Sequence, residues 1–250
     1  NVGLTYDHDI TVQKSNGLCF DISSNPVAKI KKIQRFERVL ERNLDTEELR
    51  IVWEACCQYM NPVYASLLKV MICTGFHPVE LLRLSSTDIV PDERAIYMTK
   101  TKSSTPNLIL LNKYAWAEIQ TRLNEPGATN LLFPSRASNP KSDAYDRASV
   151  LSNQVAALRS NLPIEPFTPR DIRRTVKTLM GKAGISKTMR DRMQNHTTTD
   201  VSGKHYDRYD YLPEKRVAMK TWEQWLAKNV IDPGGIETNV ISGLFNRAQQ

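Results

Sequence analysis

Apolar residues recur at helical spacing through most of the chain. Leu49, Val52, Trp53, Cys56 and Met60 share one helical face, and Asp45 with Glu48 has capping-box spacing. Asn61-Pro62 opens a second helix through Leu67, Leu68 and Met71, with Gly75 as its stop. A short third helix carries Glu80, Leu81, Leu82 and Leu84. After a Pro91-Asp92 turn, Ala95 to Thr99 and Leu108 to Leu111 read as two strands around a polar loop. Asn112 caps a helix with Trp116, Ile119 and Leu123, and Asn124 to Asp146 is loop-rich. Val150 to Leu158 is helical. Thr168-Pro169 supplies an N-cap and a first-turn proline for a helix burying Ile172, Val176 and Leu179. Gly184 ends that helix and Ser186 caps another. Pro213 opens a last helix with Met219, Trp222, Trp225 and Leu226. The expected fold class is α+β, mostly helical, with one small antiparallel sheet.

Composition narrows the function classes. Of 250 residues, 40% are hydrophobic and 24% charged, which is ordinary globular content. The longest apolar run, about Leu67 to Cys73, is broken by Lys69 and falls far short of the roughly 20 residues that span a bilayer. No membrane association is expected. No signal peptide is visible in residues 1–10, which contain Asp7 and Asp9. Asn1 is not a start residue, so the chain is expected to be a piece of a longer protein.

The net charge of +7 favours polyanionic partners, and its distribution sharpens that reading. From Val27 to Arg42 six basic residues, among them Lys29, Lys31 and Lys32, stand against two acidic ones. From Thr168 to Arg216 there are twelve basic residues against six acidic. The four cysteines (Cys19, Cys56, Cys57 and Cys73) have no CxxC spacing, and Cys56 and Cys73 sit in apolar helical patterns as buried thiols. That usage points to a reducing compartment, the cytoplasm. The four histidines form no metal-binding pair, so neither a metal nor another cofactor is expected.

Three segments carry chemistry together. They are Thr74-Gly75-Phe76-His77-Pro78-Val79-Glu80-Leu81, then Thr168-Pro169-Arg170-Asp171-Ile172-Arg173-Arg174-Thr175, then Asn195-His196 followed by His205-Tyr206-Asp207-Arg208-Tyr209. In order and spacing the chain resembles the tyrosine recombinases, in particular the phage-type integrases, over about Thr46 to Leu226. That family's catalytic domain has a T-G-x-R-x-x-E-L box, a strand lysine, an H-x-x-R-R/H-T helix, a later histidine and a tyrosine about ten residues on. The resemblance implies site-specific DNA recombination or integration on double-stranded DNA. The expected location is the cytoplasm, at the nucleoid of a host carrying a mobile element.

The implied reaction uses no metal. A tyrosine attacks a backbone phosphate, forms a 3′-phosphotyrosyl bond and frees a 5′-hydroxyl. A phenol of pKa about 10 needs a base or a positive field to attack at neutral pH. The phosphorane needs fixed cations, which arginine supplies as a planar fork, and the leaving oxygen needs a proton. By resemblance Tyr206 is the nucleophile, ten residues after His196, with Tyr209 as its rival. His196 would hydrogen-bond the phosphate and Arg173 would clamp it. Lys100, 23 residues after His77, matches the general-acid lysine, with Lys102 as the alternative or as a DNA contact. Lys29, Lys31, Lys32 and Arg174 are further expected DNA contacts, and Glu80 has a structural role.

Two positions depart from the family pattern. The first box has His77 where the family has arginine, and the helix box has Arg170 where it has histidine. A neutral histidine offers one donor and no fixed charge, and arginine cannot accept a proton. The pair is compatible with a weak recombinase, with one whose two roles are exchanged and with a disabled one; the alternative is a catalytically degenerate DNA-binding or regulatory protein on the same fold. The expected organisation is a linker and N-terminal remnant over 1–42, a catalytic domain over 43–229 and a tail over 230–250. The tail's Val240, Ile241, Leu244 and Phe245 share a helical face, and the resemblance implies self-association on DNA through it.

Overall fold

The computed structural model describes residues 42–98, 107–125, 130–134, 144–195 and 211–233. All of them fall in one unit of the chain, Glu41–Gln250. Helix α1 (Thr46–Tyr59) starts at the expected capping box: the Asp45 side chain accepts from the Glu48 N–H, and the Glu48 carboxylate accepts from the Asp45 N–H at 2.9 Å. Helix α2 (Pro62–Thr74) starts at Asn61 and stops at Gly75, whose φ of 70° lies in the left-handed region. After α3 (Pro78–Leu82) come β1 (Ile89–Val90), β2 (Ala95–Met98) and β3 (Asn107–Leu110). Helices α4 (Lys113–Leu123), α5 (Ala144–Arg159), α6 (Pro169–Lys182), α7 (Lys187–Met193) and α8 (Leu212–Leu226) follow.

The protein is thus mostly helical with one three-stranded antiparallel sheet in the order β1-β2-β3. Ile89 pairs with Ile96, and Ile96 pairs with Ile109. Three boundaries differ from the sequence reading. Strand β1 was not expected, because two residues closed off by Pro91 show no alternation. Helix α5 begins at Ala144, six residues before the expected Val150, because its first turn, Ala-Tyr-Asp-Arg, has no apolar period. The last helix continues past Leu226 through a π-helical turn, Ala227–Ile231, that buries Val230. The tail, with Val240 to Phe245, lies outside the described residues.

Helix α2 is the centre of the core. Every residue from Val63 to Thr74 except Lys69 is buried, so the helix is covered on all sides. Helices α1, α3, α4, α6 and α8 pack on it. Helix α8 docks through Trp222, which is fully buried and donates its indole N–H to the Ile72 carbonyl at 3.3 Å. Cys56 and Cys73 are buried as expected, and burial pushes both thiols up, Cys56 to about 12. Among the described residues no helix is long and apolar enough to cross a membrane.

Candidate active site

Helix α6 builds the site from its start. The Asp171 carboxylate accepts from the Thr168 N–H at 2.9 Å and from the Thr168 hydroxyl at 2.7 Å, closing the N-terminal turn. Ile172, Val176 and Leu179 face the core and lock the rotation of the helix. That rotation puts Arg173 on the flank of the buried stripe. Arg170, one turn earlier, is exposed. Arg174 donates to Asp171 at 2.9 Å and stands further round.

Arg173 is the structural centre. Its guanidinium donates to the Gly75 carbonyl at 3.0 Å and to the Gln194 carbonyl at 2.6 Å. It therefore joins the end of α2 to the end of α7. Burial pushes its pKa below the usual arginine value, while the nearby Glu80 carboxylate pulls it back up. The group stays a cation, since arginine does not deprotonate in proteins. Gln194 returns a bond, donating its side-chain N–H to the Arg173 carbonyl at 3.1 Å. Its amide fills the space beside Gly75, where an added Cβ would lie 2.5 Å from Gln194 Nε2 and 3.0 Å from Val176 Cγ1. Glycine at 75 is thus required twice, by φ and by this close approach.

His77 caps α3. Its Nδ1 accepts from the Val79 N–H at 3.3 Å, which leaves the ring proton on Nε2 in this arrangement. Two residues of chain span at most about 7 Å. Since Arg173 touches the Gly75 carbonyl, His77 lies within about 10 Å of that guanidinium. The structure therefore brings His77 and Glu80 close to Arg173, almost a hundred residues away in sequence, while Arg170 stands exposed one turn before Arg173 on α6. Lys100, Lys102, His196, Tyr206, Tyr209, Lys29, Lys31 and Lys32 lie outside the described residues.

Gln194 was missed by the sequence reading. It is 1% exposed, and its partners are backbone groups, which leave no mark in a sequence. The capping role of His77 was also missed, since histidine is not a usual N-cap.

An ion-pair network fixes α7 on α6. Arg190 donates to the Lys177 carbonyl at 2.9 Å, and Asp191 pairs with both Lys177 and Lys187. Burial alone would raise the Asp191 pKa, but hydrogen bonds from the two lysines hold it at about 2. Its stabilising effect is present above the unfolded value of about 4 and is lost as pH falls through the folded one. Asp191→Asn is expected to lower stability by about 1 kcal/mol at pH 7 after solvent screening. In urea titrations the gap to the parent should narrow from pH 5 to pH 3. A gap that is constant with pH would show that the pair contributes nothing.

Comparison with known proteins identifies the family and the fold. Residues 42–211 match the sequence profile of the phage integrase family, and the chain belongs to that family. The Tn1549 transposon integrase, solved with circular intermediate DNA, superposes with a TM-score of 0.52 at 16% identity, covering 74% of this chain and 66% of that one. The XerA recombinase gives 0.52 at 12% identity, covering 96% and 72%. A lambda integrase dimer bound to a COC′ core site gives 0.53 at 18%, covering 83% and 74%. The chain thus spans about two thirds to three quarters of these solved chains, and the likeness is one of fold. Among curated proteins no match is found.

Proposed function

We propose that this chain is the catalytic domain of a tyrosine recombinase that cuts and rejoins double-stranded DNA in site-specific recombination or integration. The observation that carries this reading is Arg173. A half-buried cation held between two carbonyls has its orientation set before any substrate arrives. A phosphate there meets a charge that needs no further ordering. Only the matching family pattern assigns the partners. Tyr206 attacks the scissile phosphorus, the P–O5′ bond breaks, and Lys100 gives the leaving oxygen its proton. Arg173 and Arg170 hold the non-bridging oxygens, His196 donates to one of them, and the phenol's proton leaves to water.

A second reading has its own support. Two Arg173 donors are spent on carbonyls. A site with fewer free donors binds a phosphate without driving its cleavage, as in a DNA-binding protein on the same fold. A nicked suicide duplex separates the two. The recombinase reading expects a covalent protein–DNA adduct that vanishes in Tyr206→Phe. Salt-sensitive binding with no adduct supports the second reading.

The domain division at 43 and 229 and the role of the tail remain part of this proposal. An apolar groove of about 410 Å³ lies between α7 and α8, lined by Ile185, Met189, Pro213, Val217 and Ala218 among others. Val217 is 68% exposed there. The Val240, Ile241, Leu244 and Phe245 stripe of a second copy is the occupant that suits it.

A further inference from the structure

Gln194, the C-terminal cap of α7, is buried, yet only one side of its amide is satisfied. Its Nε2 donates to the Arg173 carbonyl, while its Oε1 meets no donor among the described residues. A buried acceptor without a donor costs folding free energy. A methionine is about as long, would fill the same space and would carry no such cost. The amide is therefore a poor choice for packing alone, and such local departures from good packing chemistry belong to working sites.

What the residue touches shows the work. Its main-chain carbonyl accepts from the Arg173 guanidinium at 2.6 Å. Its side-chain amide abuts Gly75, whose carbonyl accepts from the same guanidinium at 3.0 Å. Its Nε2 holds the Arg173 main chain at 3.1 Å. One residue thus supplies one of the two carbonyls that aim the arginine, presses on the residue that supplies the other, and grips the backbone from which the arginine side chain leaves. The two acceptors sit at the ends of different helices, α2 and α7, and the arginine sits on a third, α6.

We infer that the Gln194 side chain is a positioning residue for Arg173 in strand cleavage. This rests on the recombinase reading above. Gln194 acts through the guanidinium: it fixes the two carbonyls relative to the α6 backbone, so the planar fork keeps one orientation when a phosphate arrives. A clamp that is correctly charged but loosely aimed stabilises the transition state less, while its attraction for DNA is hardly changed.

Single-turnover adduct formation on the nicked suicide duplex tests this, with Tm and affinity for an uncut duplex measured alongside. Gln194→Met keeps the bulk beside Gly75 and removes the amide; Gln194→Leu is a second apolar replacement. Both are expected to slow adduct formation about tenfold, with duplex affinity within about twofold of the parent. Tm should stay within about 3 °C, because one lost hydrogen bond is offset by one removed orphan oxygen. In an Arg173→Lys background no planar fork remains to be aimed, so Gln194→Met should change the rate by less than about twofold. A merely structural role would slow both backgrounds alike. Parental rates in both Gln194→Met and Gln194→Leu, or an equal loss in the two backgrounds, would overturn the inference while leaving the recombinase reading intact. A parent that binds the duplex but forms no adduct would overturn both.

Discussion

Arg173→Ala is expected to lower the rate of covalent adduct formation by about 10²- to 10³-fold, the usual cost of removing a transition-state donor. The same change leaves the Gly75 and Gln194 carbonyls without their charged partner, so stability should fall by about 3 kcal/mol. Arg173→Lys separates the two effects. Lysine keeps the charge but has no planar fork to span both carbonyls. It should bind DNA with nearly the parental salt dependence and still cleave about a hundredfold more slowly. An alanine variant that cleaves within about threefold of the parent would remove Arg173 from the reaction.

The second large effect runs in the other direction. His77→Arg combined with Arg170→His recreates the family constellation of a charged fork in the first box and an imidazole on α6. Adduct formation should rise tenfold or more, by roughly the value of one returned clamp. The structure adds a cost that the sequence did not show. His77 caps α3, and arginine accepts no hydrogen bond, so the variant should lose about 1 kcal/mol. For a domain of this size that is a fall in Tm of about 2–4 °C. The Arg170 change should cost little, because that side chain is exposed. A lowered Tm with no gain in rate would show that the present pair already performs both roles.

Helix starts were legible in the sequence where one of the usual capping side chains makes the cap, and not at α3, which His77 caps. Asp45, Asn61, Asn112 and Ser186 each accept from a backbone N–H in the first turn, and the Thr168–Asp171 pair closes α6. The stop at Gly75 was legible for a similar reason, since only glycine takes that φ without strain. Strand β1 was not, because its two residues owe their conformation to pairing with β2 rather than to their own pattern. The π-helical end of α8 was hidden too. Its Val230 is held by burial against α1 and the preceding turns, a tertiary effect.

The site divides along the same line. The order of the boxes pointed to His77, Glu80, Arg170 and Arg173; the fold sets His77 and Glu80 close to Arg173, with Arg170 exposed one turn before it. What holds them was not readable. Arg173 is oriented by two carbonyl oxygens, and Gly75 is packed against an amide. Backbone acceptors and through-space contacts have no fixed sequence spacing. A motif can therefore name the charged group at a site while saying nothing of what aims it.

The central claim is that Tyr206 forms a 3′-phosphotyrosyl bond at a phosphate held by Arg173. Trapping the parent chain on a nicked suicide duplex, digesting the adduct and sequencing the peptide that keeps the DNA tests it most directly. The expected result is a single linked peptide with the 3′-phosphate on Tyr206. DNA linked through Tyr209, or a duplex bound by the parent chain with no linked peptide, would contradict it.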